Sequence, residues 1–213
     1  MGVESNSSPR VLYAVVPAAG LSRRMGQPKL LLPLGGKTVM ARLLEALHQP
    51  QIACRAVVLR REDEDLCREV QKAQAWRIQP QVNPREMRES VEIALTEIGQ
   101  RFSPNPQDGW LLVPADHPTL SPRVINNLVS AWQTTSADIL IPSWEGRRGH
   151  PTIFSWELAT RVCEIPPNQG LNWLVRCGEF SLEELPLDDP AIFTDLDTPD
   201  DYEALKRTFA ENS

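Results

Sequence analysis

The residues with the clearest chemical potential lie in one run, Pro17-Ala18-Ala19-Gly20-Leu21-Ser22-Arg23-Arg24-Met25-Gly26-Gln27-Pro28-Lys29. Three small residues directly after an apolar stretch let the backbone approach a ligand, and exposed N–H groups in such a loop form an anion-binding concavity. Arg23, Arg24 and Lys29 follow. Arginine presents a planar fork to phosphate oxygens, and lysine a compact charge. Carboxylates supply the complementary chemistry. Val113-Pro114-Ala115-Asp116-His117-Pro118 ends a second apolar run in an acid between prolines, and Asp195-Leu196-Asp197-Thr198-Pro199-Asp200 forms another acidic cluster. Carboxylate oxygen is the hard ligand that Mg²⁺ prefers alongside substrate phosphates, so Asp116 and Asp197 are candidate metal ligands. Asp195 and Asp197 have strand spacing and are expected to face one side, although Asp197 or Thr198 could equally cap a following helix.

Other chemistries find less support. The segment Gly146-Arg147-Arg148-Gly149-His150-Pro151 sets a histidine between glycine and proline, placed to meet a substrate, whereas His48 ends a helical pattern and reads as structural. No Ser/His/Asp or Cys/His arrangement stands out, and no His-rich zinc pattern is present. Gly35-Gly36-Lys37-Thr38 imitates the end of a P-loop, but Leu31 stands where its first glycine is required, and Lys37 is expected in a turn before the first helix. The GxGxxG dinucleotide fingerprint is absent, which disfavours NAD.

The elements that must position these residues alternate. Val11–Val16, Ala56–Leu59, Trp110–Val113 and Ile139–Ile141 are short apolar runs suited to strands buried on both faces of a parallel sheet. Between them, Met40/Leu43/Leu44/Leu47, Val91/Ala94/Leu95/Ile98 and Ile125/Leu128/Val129/Trp132 repeat at helical spacing. The third helix has Ser121-Pro122 as cap and first residue, and a last helix from Thr198-Pro199 is expected to bury Tyr202, Leu205 and Phe209. The pattern predicts an α/β fold with a mostly parallel central sheet. Ser143–Phe154 breaks it and reads as a hairpin or excursion.

Composition bounds the rest. The chain has 213 residues, a net charge of -6 and 41% hydrophobic residues, ordinary values for a folded domain. Residues 1–10 read as a disordered tail and residues 11–213 as one domain. The acidic balance disfavours nucleic acid and anionic membrane as partners. The absence of an apolar run of membrane length or a secretory segment predicts a cytoplasmic protein. Cys54, Cys67, Cys163 and Cys177 lack CxxC spacing and are expected as buried, reduced thiols. The 19 prolines, about twice the usual share, are scattered as punctuation between apolar runs.

The combination Ala18-Ala19-Gly20-Leu21-Ser22-Arg23-Arg24-Met25-Gly26…Lys29-Leu30-Leu31-Leu32-Pro33-Leu34…Gly36-Lys37 resembles the signature of nucleotidyltransferases with a MobA-like fold. Within them it is most similar to molybdenum cofactor cytidylyltransferases; Pro114–Pro118, Gly149-His150-Pro151 and Asp195–Pro199 agree in order and rough spacing. The resemblance covers residues 11 to about 205. It implies a Rossmann-like three-layer α/β/α sandwich of the nucleotide-diphospho-sugar transferase type. The implied reaction is Mg²⁺-dependent, moving CMP from CTP to the terminal phosphate of molybdopterin and releasing pyrophosphate. By position, the loop Ala18, Ala19, Gly20, Leu21, Ser22, Arg23 and Arg24 would cradle the nucleotide. Lys29 would offset charge on the α-phosphate, with Arg24, Lys29 and Asp116 as the catalytic set. Asp116 and Asp197 would hold Mg²⁺, and His150 would lie on the molybdopterin side. A molybdenum hydroxylase would be the client.

Ala18-Ala19-Gly20 sides with CTP, since guanylyltransferases of the group read Leu-Ala-Gly-Gly, and the Ala19 methyl narrows the space near a base by about 1–3 kcal/mol of discrimination at most. Two departures stand against the pattern. Pro17 replaces a frequent leucine, and Asn83-Pro84-Arg85-Glu86-Met87-Arg88-Glu89-Ser90 is shorter than the relatives' segment, with Glu86 in place of a glycine. Ser90 remains a candidate nucleotide contact, whereas Glu86 would oppose a phosphate. The alternatives are a guanylyltransferase or sugar-1-phosphate nucleotidyltransferase of the same fold, or a non-catalytic molybdopterin carrier.

Overall fold

The apolar runs become the strands of one mixed sheet in a computed structural model that describes residues 9–211. In chain order the strands are β1 (Leu12–Pro17), β2 (Pro33–Leu34), β3 (Lys37–Thr38), β4 (Ile52–Val58) and β5 (Trp76–Ile78). They continue as β6 (Gly109–Leu112), β7 (Ile139–Trp144), β8 (Arg147–Arg148), β9 (Thr152–Ser155) and β10 (Leu182–Pro186). The helices are α1 (Val39–Ala46), α2 (Glu64–Lys72), α3 (Met87–Phe102), α4 (Pro122–Trp132), α5 (Asn172–Arg176) and α6 (Pro199–Glu211). Main-sheet order is β10-β7-β9-β6-β1-β4-β5, with β8 added to β7 and the β2/β3 hairpin apart.

Pairing is parallel between β1 and both β4 and β6, and again for β4/β5 and β7/β10. Alternation along β1 divides the core in two. Leu12, Ala14 and Val16 pack with α1, α2, α4 and α6, while Tyr13 and Val15 pack with α3, α5 and the 3-10 turns Trp156–Glu164. The result is a three-layer α/β/α sandwich. Local sequence starts the helices as expected: Ser121 Oγ accepts from the Val124 N–H at 3.3 Å, and Thr38 Oγ1 from the Ala41 N–H at 3.1 Å.

Several expectations change. Thr152-Ile153-Phe154 is no excursion but β9, wholly buried and antiparallel between β6 and β7; a run this short carries no period that separates it from loop. Ser143–Arg148 does form the hairpin β7/β8. Gly35 and Gly36, with φ of +54° and +79°, close the β2/β3 hairpin, the geometry such two-residue turns require, and Lys37 pairs with Glu45. Thr194–Asp197 is not a strand, and Asp195 is exposed. Leu205 is buried as expected, with Tyr202 and Phe209 only partly so. Cys54 and Cys67 are buried, but Cys163 is exposed and Cys177 half-buried; all four are free thiols. His48 is exposed just past α1. Of the expected tail, residues 1–8 lie outside the described residues, and Arg10 is anchored through its N–H on Gln133 Oε1 at 2.9 Å. No helix among the described residues is long and apolar enough to cross a membrane.

Candidate functional site

The parallel pairing of β1 with β6 sets their carboxyl ends side by side, the edge where ligands of open α/β sheets bind. From β1 the chain runs into the small-residue loop. Ala18 N–H donates to Val58 O at 2.9 Å, and the Met25 and Gly26 N–H groups donate to Ser22 O at 3.1 Å. Met25 and Leu30 are buried, so the arch is pinned at both ends while its middle stays open. A Cβ built on Gly20 meets nothing within 4 Å, so no packing inside the protein requires a glycine here.

Beneath the arch lies a cavity of about 300 Å³. Ala18, Ala19, Gly20, Ser22, Arg23, Arg24, Lys29, Ser90, Asp116 and Asp197 all line it, so ten positions singled out from the sequence converge there. Leu21 does not: it is 54% exposed and faces a second depression against the start of α2. Ser90, in the first turns of α3, is buried.

The carboxylates are brought together by a backbone bond that the sequence does not announce. Leu196 N–H donates to Asp116 O at 2.9 Å, which sets Asp197 beside Asp116. Thr198 takes the capping role, its Oγ1 accepting from Asp201 N–H at 3.3 Å while Asp201 Oδ2 accepts from Thr198 N–H at 2.7 Å. That leaves the Asp197 carboxylate for the cavity. Lys29 Nζ donates to Asp116 Oδ2 at 2.7 Å and Asp197 Oδ1 at 2.9 Å, and Arg24 Nη2 lies 2.8 Å from Asp197 Oδ2. Burial alone would lower the Lys29 pKa, but its bonds to Asp116 and Asp197 raise it overall. Burial likewise works against ionised Asp116, yet His117 and Lys29 hold its carboxyl well below the usual range.

Two carboxylates that already meet on one cation are a donor set suited to a divalent ion. No group of three or more His, Cys, Asp or Glu side chains suited to a metal occurs among the described residues, so an ion held here would draw its further ligands from substrate phosphates and water, as Mg²⁺ commonly does.

His150 is not among the cavity's lining residues. It sits behind His117, ring centroids 5.3 Å apart and edge to face, with its Nδ1 buried and unpartnered. Burial and the neighbouring His117 push its pKa down to about 4. Its motif also makes a packing contact. A Cβ on Gly149 would stand 2.7 Å from Ile192 O, and the His150 N–H donates to that same oxygen at 2.9 Å. This contact docks the 3-10 turn Pro190–Phe193, from which Asp197 follows.

Two features escaped sequence reasoning, and a third, at Glu86, bears on a residue already singled out. His117, buried, holds Asp116 Oδ1 through Nδ1 at 3.1 Å; its place in the Asp116 motif was the available signal. Arg85 and Met87 line the cavity mouth, within the segment that departs from the family pattern. Glu86 also reaches the cavity, and Arg88 Nη2 at 3.2 Å offsets its charge.

Against known proteins, the description "MobA-like NTP transferase domain" matches residues 14–185. Purine catabolism protein PucB of Bacillus subtilis is 28% identical, covering 93% of this chain and 98% of the relative. The molybdenum cofactor cytidylyltransferase of Escherichia coli is 24% identical, covering 92% and 96%. Among solved structures, Rv0371c of Mycobacterium tuberculosis in complex with manganese superposes with a TM-score of 0.74 at 23% identity, covering 93% of this chain and 99% of that one.

Proposed function

Because the chain belongs to the MobA-like NTP transferase family, a family of nucleotidyltransferases, we propose that it moves CMP from CTP to the terminal phosphate of molybdopterin and releases pyrophosphate. The observation that carries the reading is the convergence of Arg23, Arg24 and Lys29 with Asp116 and Asp197 around one cavity at the ends of β1 and β6. Backbone N–H groups of the arch from Ala19 to Ser22, with Arg23 and Arg24, bind the triphosphate. Ser90 and Ala19 bound the space left for the base. Lys29 counters the negative charge that grows at the α-phosphate during transfer. An oxygen of the acceptor phosphate forms a bond to the α-phosphorus as the bond to the β-phosphate oxygen breaks, and pyrophosphate leaves with the electron pair. The attacking oxygen is already anionic, so no side-chain nucleophile or base is needed, and positioning with electrostatic stabilisation carries the reaction.

Asp116 and Asp197 are the residues that would hold Mg²⁺, which supplies Lewis-acid charge neutralisation at the phosphates when bound. A triphosphate substrate points to the cytoplasm as the place of work, and a molybdenum hydroxylase is the client this product would serve. One observation favours a second reading, a guanylyltransferase. The Glu86 carboxylate at the cavity can accept hydrogen bonds from the N1–H and amino group of guanine. Pyrophosphate release with Mg²⁺ and molybdopterin, comparing CTP with GTP, separates the two. Release with CTP alone is the expected result. Release with GTP alone overturns the base assignment, activity only on a sugar phosphate overturns the acceptor, and no release at all turns the reading towards a carrier.

A further inference from the structure

Between Asp116 and Asp197 the protein carries a cation of its own. The Lys29 ammonium lies 2.7 and 2.9 Å from the two carboxylates with only 15% of its side chain exposed. Arg24 closes the other oxygen of Asp197 at 2.8 Å and is 73% exposed. Two carboxylates and two monocations sum to zero, so the pair is held together without any bound ion. A single divalent cation between the same carboxylates gives the same sum and releases both monocations. Lys29 and Arg24 both line the cavity, so what they would meet on release is an anion within it. His117 holds Asp116 by its other oxygen, Oδ1, which keeps that carboxylate in place during such an exchange.

We propose that Lys29 is a placeholder for the divalent cation, displaced by it onto the incoming phosphates, so that metal and nucleotide strengthen each other's binding through this one side chain. Without nucleotide, a divalent ion must expel an ammonium that has nowhere better to go, and metal binds weakly. With nucleotide, the expelled ammonium gains an anionic partner. The coupling is reciprocal by necessity. Its nucleotide half rests on the function proposed above, whereas its metal half concerns the carboxylates alone.

The test is a titration of Mn²⁺ alone into the full chain, with free ion followed by electron paramagnetic resonance. Lys29→Met is expected to bind Mn²⁺ at least about tenfold tighter than the wild type, since a like charge a few ångströms away is removed from a partly buried site. Arg24→Gln gains less in the same direction, and Asp116→Asn binds more weakly than the wild type. Adding a non-hydrolysable CTP analogue tightens Mn²⁺ binding by the wild type about tenfold and by Lys29→Met much less, on the same charge argument. A Lys29→Met protein that melts like the wild type and binds Mn²⁺ no tighter overturns the placeholder role. Should that variant not fold, Arg24→Gln decides, and no gain there overturns it. Unchanged binding by Asp116→Asn places the ion elsewhere and overturns it too. If the Mn²⁺ gains hold while the analogue changes nothing, the placeholder stands and the nucleotide reading falls.

Discussion

Two glycine-bearing motifs, one before and one after Asp116 in the chain, differ in what surrounds their glycine. Gly20 stands in the open arch, with nothing within 4 Å of where a Cβ would be. Gly149 is packed so tightly that a Cβ would be 2.7 Å from Ile192 O. At one the missing side chain leaves open space, at the other it admits the chain itself. Around Gly20 the neighbours are cationic and reach the cavity; beyond Gly149 the neighbouring His150 has a buried, unpartnered nitrogen. Gly149-His150-Pro151 lies against the turn that leads to Asp197, through Ile192 O, rather than in the lining of the cavity.

Substitutions can break that division, and the largest effect belongs to the open side. Asp116→Asn should lower turnover by roughly a thousandfold, on the scale of losing one preorganised electrostatic group, with the fold intact by circular dichroism. A loss under tenfold would remove Asp116 from the chemistry. Next, Gly149→Ala should cost about 2–3 kcal/mol in urea unfolding, because the methyl must push a backbone carbonyl. Turnover per folded molecule should stay within a few-fold, and a fully stable but inactive Gly149→Ala would reverse the comparison.

A third expectation concerns His150, whose pKa falls from 6.5 to about 4 in the folded chain. The unfolded state then binds the extra proton between those values, so wild-type stability declines as pH drops from about 6.5 to about 4 and levels off below. The decline is at most about 3 kcal/mol, and His150→Gln should lack it; parallel pH profiles would show that His150 is not buried neutral. The smallest effect is at Gly20. Gly20→Ala should leave stability within about 0.5 kcal/mol yet weaken nucleotide binding by roughly tenfold in calorimetry, the scale of one methyl in a pocket. Unchanged affinity would mean that the arch does not approach the ligand closely.

What the sequence made legible was local. Val11–Val16 and Trp110–Val113 announce buried strands by composition, and the loop residues from Ala18 to Lys29 follow one of them directly. Asp116 is legible for the same reason. The misses are products of distance or of brevity. Asp197 could be named, but whether it capped a helix or met Asp116 depended on the Leu196–Asp116 backbone bond and on Thr198 taking the cap. His117 follows Asp116 in sequence, yet its hold on the carboxylate depends on burial that no local pattern encodes. β9 is too short to show a period, and its place between β6 and β7 is set by pairing. Leu21 sits inside the best motif and points away, because one arch has two sides.

The backbone bond between Leu196 and Asp116 also has a consequence in time. Asp197 is synthesised 81 residues after Asp116, which at about 5–20 residues per second leaves roughly 4–16 s in which the arch, Lys29 and Asp116 exist on a growing chain without their second carboxylate. During that interval the dicarboxylate clamp does not exist. The clamp closes only when the segment carrying Asp197 docks through the Leu196–Asp116 bond.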